Sequence, residues 1–85
     1  MTEILAVFRS RSQAADCYAK FKANNIAAKL INTPKECNIG CGLSVNFSTN
    51  AFNTAKFIIA KTGYSAFYGF FKMQIKYGRL ILFKL

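Results

Sequence analysis

Eighty-five residues, 53% of them hydrophobic and nine of them phenylalanine, make a chain too apolar to be disordered and of a size for one small domain. Such a domain buries only about 60–65% of the surface its unfolded chain exposes, which leaves little room for a cofactor-sized cavity beside a dense core. Twelve Lys and Arg against three Asp and Glu give a formal charge of +9, which suits anionic partners or plain solubility, and the lack of histidine removes the commonest general base and the commonest zinc ligand together.

Residues 4–8 form an unbroken apolar run that reads as a strand covered on both faces. Ser10 then opens a helix, with Gln13 completing a capping-box pattern, and Ala14, Cys17, Tyr18 and Phe21 recur at helical spacing as its apolar stripe. Asn24 and Asn25 tolerate left-handed backbone and suit its C-terminal cap. A second strand is predicted over residues 26–31, with Ile26, Ala28 and Leu30 on one face. Residues 32–41 are the longest irregular segment and carry Pro34, Gly40 and two cysteines. Leu43, Val45 and Phe47 alternate with Ser44 and Asn46, the pattern of a third strand with one wet face. Thr49 or Asn50 is expected to cap a second helix that ends near Gly63, with Phe52, Ala55, Ile58 and Ile59 as its stripe and Phe57 off it. A fourth strand is predicted over 66–75, and a short turn at Tyr77-Gly78 leads into a fifth over 80–85.

The order β-α-β-β-α-β with a last strand predicts one α+β domain over residues 1–85 of the ferredoxin-like, split βαβ kind, an antiparallel sheet with two helices on one face. In that arrangement the 32–41 loop and the start of the first helix lie at the same end of the sheet. Cys41 is therefore expected beside Arg9, Ser10 and Arg11. The start Met1-Thr2-Glu3 lacks the basic opening and long apolar core of a signal peptide, and no apolar stretch approaches the roughly 20 residues of a membrane span. Three cysteines are an odd number for a secreted monomer, so reduced thiols, a cytoplasmic setting and no membrane partner are expected.

Cys41 stands in Gly40-Cys41-Gly42, where the two glycines remove neighbouring side chains and open the sulfur to close approach. Arg9, Arg11, Ser10 and the unpaired amides of a helix start would supply positive potential, which favours thiolate over thiol. With no histidine there is no Cys–His pair of the protease kind, but a thiolate alone can exchange sulfur, hold a persulfide or form a disulfide. The plainer reading is a small residue at a tight loop. Cys37, four residues earlier, is a candidate resolving thiol or soft-metal ligand, whereas Cys17 on the helical stripe reads as core. Three cysteines do not readily close a four-ligand zinc site in one chain, and Glu3, Asp16 and Glu36 are too few and too scattered for a carboxylate pair or cage. No metal and no cofactor are expected. Glu36 is a candidate proton relay to Cys41, and more simply a surface partner of Lys35 or Arg11.

Pro34-Lys35-Glu36 followed by Gly40-Cys41-Gly42-Leu43 resembles the small bacterial selenium/sulfur carrier-like domains, in which a Pro-Arg/Lys-Glu segment leads into Cys-Gly-Leu and a strand. The likeness takes in the opening strand and the helix start from Phe8 to Ser12, and extends over the second half by pattern alone. It implies that Cys41 bears sulfur or selenium between donor and acceptor proteins, the work of a carrier rather than a turnover enzyme. Cys37 departs from the family, which places an apolar or small residue there. The Cys-Pro-x-Pro motif of other sulfurtransferase carriers is absent, so their transfer chemistry is not borrowed.

Two other classes stay open on the residues. A +9 domain with thirteen Phe and Tyr invites comparison with RNA-recognition modules, but Gly42-Leu43-Ser44-Val45-Asn46-Phe47 puts Leu, Val, Ser or Gly at the stacking positions, and the basic residues are scattered. The apolar last strand and the aromatics of Phe67-Tyr68-Gly69-Phe70-Phe71 fit an interaction module covered by a partner or by a second copy in a homodimer; the plainer reading is a hairpin that curls over its own core.

Overall fold

The apolar run after the N-terminus becomes the centre of the sheet. A computed structural model describes residues 3–37 and 42–85, the side chain of Glu36 excepted. In chain order the elements are β1 (Glu3–Phe8), α1 (Arg11–Ala23), β2 (Ala28–Asn32), a 3-10 turn (Lys35–Cys37), β3 (Leu43–Ser48), a second 3-10 turn (Thr49–Ala51), α2 (Phe52–Thr62), β4 (Phe67–Lys76) and β5 (Arg79–Lys84). The fold is α+β, with one antiparallel five-stranded sheet ordered β2-β3-β1-β4-β5 and two helices.

Leu5, Ala6, Val7 and Phe8 of β1 have no exposed surface. Ile4, Ala6 and Phe8 pack with Ala14, Cys17 and Phe21 of α1 and with Ala55, Ile58 and Ile59 of α2. Leu5 and Val7 face the other way, into a second cluster with Cys37 and Phe71, flanked by Ile31, Tyr68, Met73 and Leu82. Each large side chain buried in this way contributes about 1.5–3 kcal/mol, so an 85-residue chain gains much from covering both faces of one strand. On the helix side the aromatic rings meet edge to face, Phe8 with Tyr64, Phe21 with Phe47 and Phe52 with Phe70, at 5.1–5.3 Å between centroids.

Four local expectations change. Ser44 and Asn46 do not line a wet face: they are 0% and 7% exposed, because they share the sheet side of Val7 and Leu5. Hydrogen bonds satisfy both, Ser44 with Thr33 and Asn46 with Glu3. Neither Thr49 nor Asn50 caps α2; those residues form the 3-10 turn, and Ala51 takes the cap position without a side-chain bond. Ser10 caps α1 by accepting the Gln13 N–H, but the Gln13 side chain does not return to Ser10 and instead reaches Ser65 and Ala66. β2 begins only at Ala28, with Ile26 buried ahead of it and Leu30 38% exposed.

Across β1, Val7 faces Gly69 while Phe8 faces Phe67, so Tyr68 is an extra, bulged residue in β4. The bulge sends Phe67 and Phe70 both to the helix side and Tyr68 and Phe71 both to the far side, a distribution that strict alternation would forbid. Gly69 makes it possible with φ +152°, and a Cβ there would sit 3.1 Å from Lys84 Cε. Tyr77 (φ 52°) and Gly78 (φ 74°) form the two-residue hairpin turn before β5, both residues left-handed as the twist of the flanking strands requires. Gly69→Ala is expected to cost about 1–3 kcal/mol through backbone strain, read as a lower denaturation midpoint. An unchanged midpoint would contradict this account of the bulge.

Candidate functional site

The end of β1, the start of α1, the end of β2 and the start of β3 meet at one end of the sheet. Leu43 pairs with Phe8 on one side and with Asn32 on the other. The Thr33 N–H donates to the Gly42 carbonyl at 3.1 Å, and the Thr33 and Ser44 hydroxyls share a 2.7 Å hydrogen bond, so the loop between them is closed at its base. Gly40 and Cys41 lie outside the described residues. Gly42, next to Cys41 in sequence, is described and buried. Arg9, Ser10 and Arg11 follow Phe8 directly, at the same end as Leu43.

Those three residues differ in what they do. Ser10 is committed to its helix: its Oγ accepts the Gln13 N–H at 3.2 Å and meets Ser12 Oγ at 3.0 Å. Arg11 is the exposed first residue of α1. Arg9 donates its N–H to the Ala66 carbonyl, and its guanidinium lies 4.8 Å from the centre of the Tyr68 ring. The Lys84 ammonium approaches the same ring to 4.5 Å. Tyr68 packs with the cluster away from the helices, so this pair of cations marks the face opposite α1.

Cys37 is on that face too. It is 5% exposed, it packs with Leu5, Val7 and Phe71, and its N–H donates to the Pro34 carbonyl at 3.1 Å. The Lys35–Cys37 turn lies against β5. Part of the loop therefore folds across the sheet as a cover. Cys17 is fully buried beneath α1, as its stripe position predicts. Burial pushes its thiol up to about 12, the neighbouring Asp16 charge adds to the rise, and Lys20 opposes it. Asp16 itself is held below the ordinary carboxylate range by hydrogen bonds from the Lys20 ammonium at 2.7 Å and the Tyr64 hydroxyl at 2.6 Å. The Tyr64 hydroxyl is pushed up, first by burial and then by that bond.

Sequence reasoning missed three contributors: Gln13 as the clamp from α1 to residues 65 and 66, the Thr33–Ser44 pin, and the Tyr68 ring beneath Arg9 and Lys84. Tyr68-Gly69 carried one usable signal, since a glycine inside a strand marks a bulge or a close approach.

A family model described as "Putative Se/S carrier protein-like" matches residues 3–68, from the start of β1 to the second residue of β4. No curated protein and no solved structure matches the chain significantly.

Cys17 should resist alkylation in the folded protein at pH 8 and react only on unfolding, as mass spectrometry of each cysteine would show. Because its folded pKa lies above the ordinary 9.0, the protonated thiol favours the fold, and stability falls as pH rises from about 9 to about 12. Cys17→Ala should flatten that fall in denaturation curves taken across this range. Ser44→Ala leaves the Thr33 hydroxyl without its partner, and a loss of about 1 kcal/mol is expected in the same assay.

Proposed function

The chain belongs to the putative Se/S carrier protein-like family, and we propose that it carries sulfur or selenium on Cys41 between a donor protein and an acceptor protein. The match across residues 3–68, which includes Pro34-Lys35-Glu36 and Gly40-Cys41-Gly42-Leu43, carries this reading. The burial of the other cysteines supports it. Cys17 lies beneath α1 and Cys37 beneath its own turn, so neither offers a sulfur to a protein-sized donor. A resolving role for Cys37 requires the Lys35–Cys37 turn to lift off Leu5, Val7 and Phe71.

In the proposed step the Cys41 thiolate attacks the outer sulfur of a donor persulfide. A new S–S bond forms at Cys41, the donor's S–S bond breaks, and the donor leaves as a thiolate. An acceptor nucleophile then attacks the outer atom and releases the Cys41 thiolate, so the cycle consumes no oxidant. With selenium the outer atom is replaced and the bookkeeping is the same. Arg9, Arg11 and the amides at the start of α1 with Ser10 stabilise the anion, and Gly40 and Gly42 keep the approach open. The pairing of Leu43 with Phe8 supports this grouping. The order of the first four strands, with β1 between β3 and β4 and β2 outside β3, supports reading the fold as ferredoxin-like. A cytoplasmic setting fits a reduced thiol.

Incubation with a persulfide donor should add one sulfur to the protein by intact mass. Cys41→Ser should abolish the addition, while Cys17→Ser and Cys37→Ser should retain it. Equal labelling of Cys41→Ser and the parent would end the proposal, as would an alkylation midpoint for Cys41 at or above the usual thiol value of about 8.5.

A further inference from the structure

Two hollows on the helix side join into one trough, and every residue that lines them is described. Lys20 and Asn24 of α1 face Thr54, Phe57, Ile58 and Lys61 of α2 across the first, of about 490 Å³. Asn24 and Thr54 also line the second, of about 420 Å³, whose walls include Asn25, Ser48 and Asn50. The two lobes differ in chemistry. In the first, Ile58 belongs to the core, while Phe57, which lies off the apolar stripe of α2, leaves 66% of its surface exposed. Lys61 lies 5.8 Å from the centre of that ring and meets no carboxylate among the described residues, whereas Lys20 is paired with Asp16 at 2.7 Å. In the second, the side chains of Asn25, Ser48 and Asn50 hold no hydrogen bond among the described residues. The two helices carry Arg11, Lys20, Lys22, Lys56 and Lys61 against Asp16 alone.

We infer that this trough docks an acidic, extended segment of a partner protein. An apolar side chain of the segment packs on Ile58 and against the Phe57 ring, the exposed aromatic that would otherwise stay in water. Carboxylates on either side of it meet Lys61 and Lys20 at the rims. Further along, backbone N–H and C=O groups of the segment bond the amides of Asn25 and Asn50 and the Ser48 hydroxyl. Two lobes joined end to end suit an extended chain better than one compact small molecule. The charge of +9 draws an acidic segment in and repels a basic one, a second copy of this chain included. The trough residues all fall within the family match over 3–68. That the partner is the sulfur or selenium donor or the acceptor rests on the carrier reading, which requires both to be proteins.

Amide NMR spectra of the full chain test this by titration with a synthetic peptide of about ten residues, long enough to span both lobes, in which leucine and phenylalanine are flanked by glutamates. Shifts are expected at residues 20–25, 48–50 and 54–61, with weaker binding at about 0.3 M salt than at low salt. Phe57→Ala and Lys61→Glu should each weaken binding about tenfold. Lys76→Glu makes the same charge change in the β4–β5 hairpin, away from the trough, and should weaken it far less. Phe57, Lys61 and Lys76 are exposed, and circular dichroism checks that each variant stays folded. Five results would overturn the proposal: no shifts, shifts spread over the lysines of the sheet, equal weakening by Lys61→Glu and Lys76→Glu, equal binding of a peptide with lysines in place of the glutamates, and binding of decanoate but not of the peptide. Shifts that follow protein concentration without peptide would place a second copy in the trough and overturn it too. Sulfur loading of Cys41 is measured without the peptide, so the readings fail separately: a chain that loads but ignores the peptide overturns only the docking site, and one that binds the peptide without loading overturns only the carrier.

Discussion

Burying β1 on both faces is the constraint from which the rest of the molecule follows. Leu5 and Val7 alternate with Ala6 and Phe8, and all four are fully buried. Two α-helices cover one side, and among the described residues no third α-helix covers the other. The far side is closed by the Lys35–Cys37 turn and by Phe71, with Tyr68, Met73 and Leu82 around them. The Lys35–Cys37 turn is therefore a piece of the core. Cys37 serves as its anchor, packed against Leu5, Val7 and Phe71.

Two-sided burial explains where sequence reading succeeded. Apolar runs and spacing located the strands and helices of the described residues, with β2 begun at residue 26 instead of Ala28, and the helix side has ordinary stripes: Ala14, Cys17 and Phe21 on α1, and Ala55, Ile58 and Ile59 on α2. The unbroken run in β1 announced two covered faces without saying what covered the second. Ser44 and Asn46 read as wet because they are polar, and only the turn folded over that side makes them buried. The pairing of Phe8 with Leu43 agrees with the end-of-sheet argument drawn from topology. The bulge at Tyr68 escaped alternation rules because an extra residue resets the pattern, and the pairing of two cations with one ring depends on that reset.

Two of the three cysteines lie among the described residues, and both are buried. Cys17 has its thiolate suppressed by hydrocarbon, and Cys37 is packed against β1 and Phe71. Arg9 is held by its backbone bond to Ala66 and by the Tyr68 ring rather than left to swing freely.

Among the described residues β4 pairs with β1 from Phe67 to Met73, and beyond that the β4–β5 hairpin carries Ile75 76% and Tyr77 96% exposed. Ribbons of two strands are marginal by themselves. The exposed tip is therefore expected to exchange its amide hydrogens for deuterium at a lower free-energy cost than the buried β1. The protein thus has a stiff centre and a soft arm.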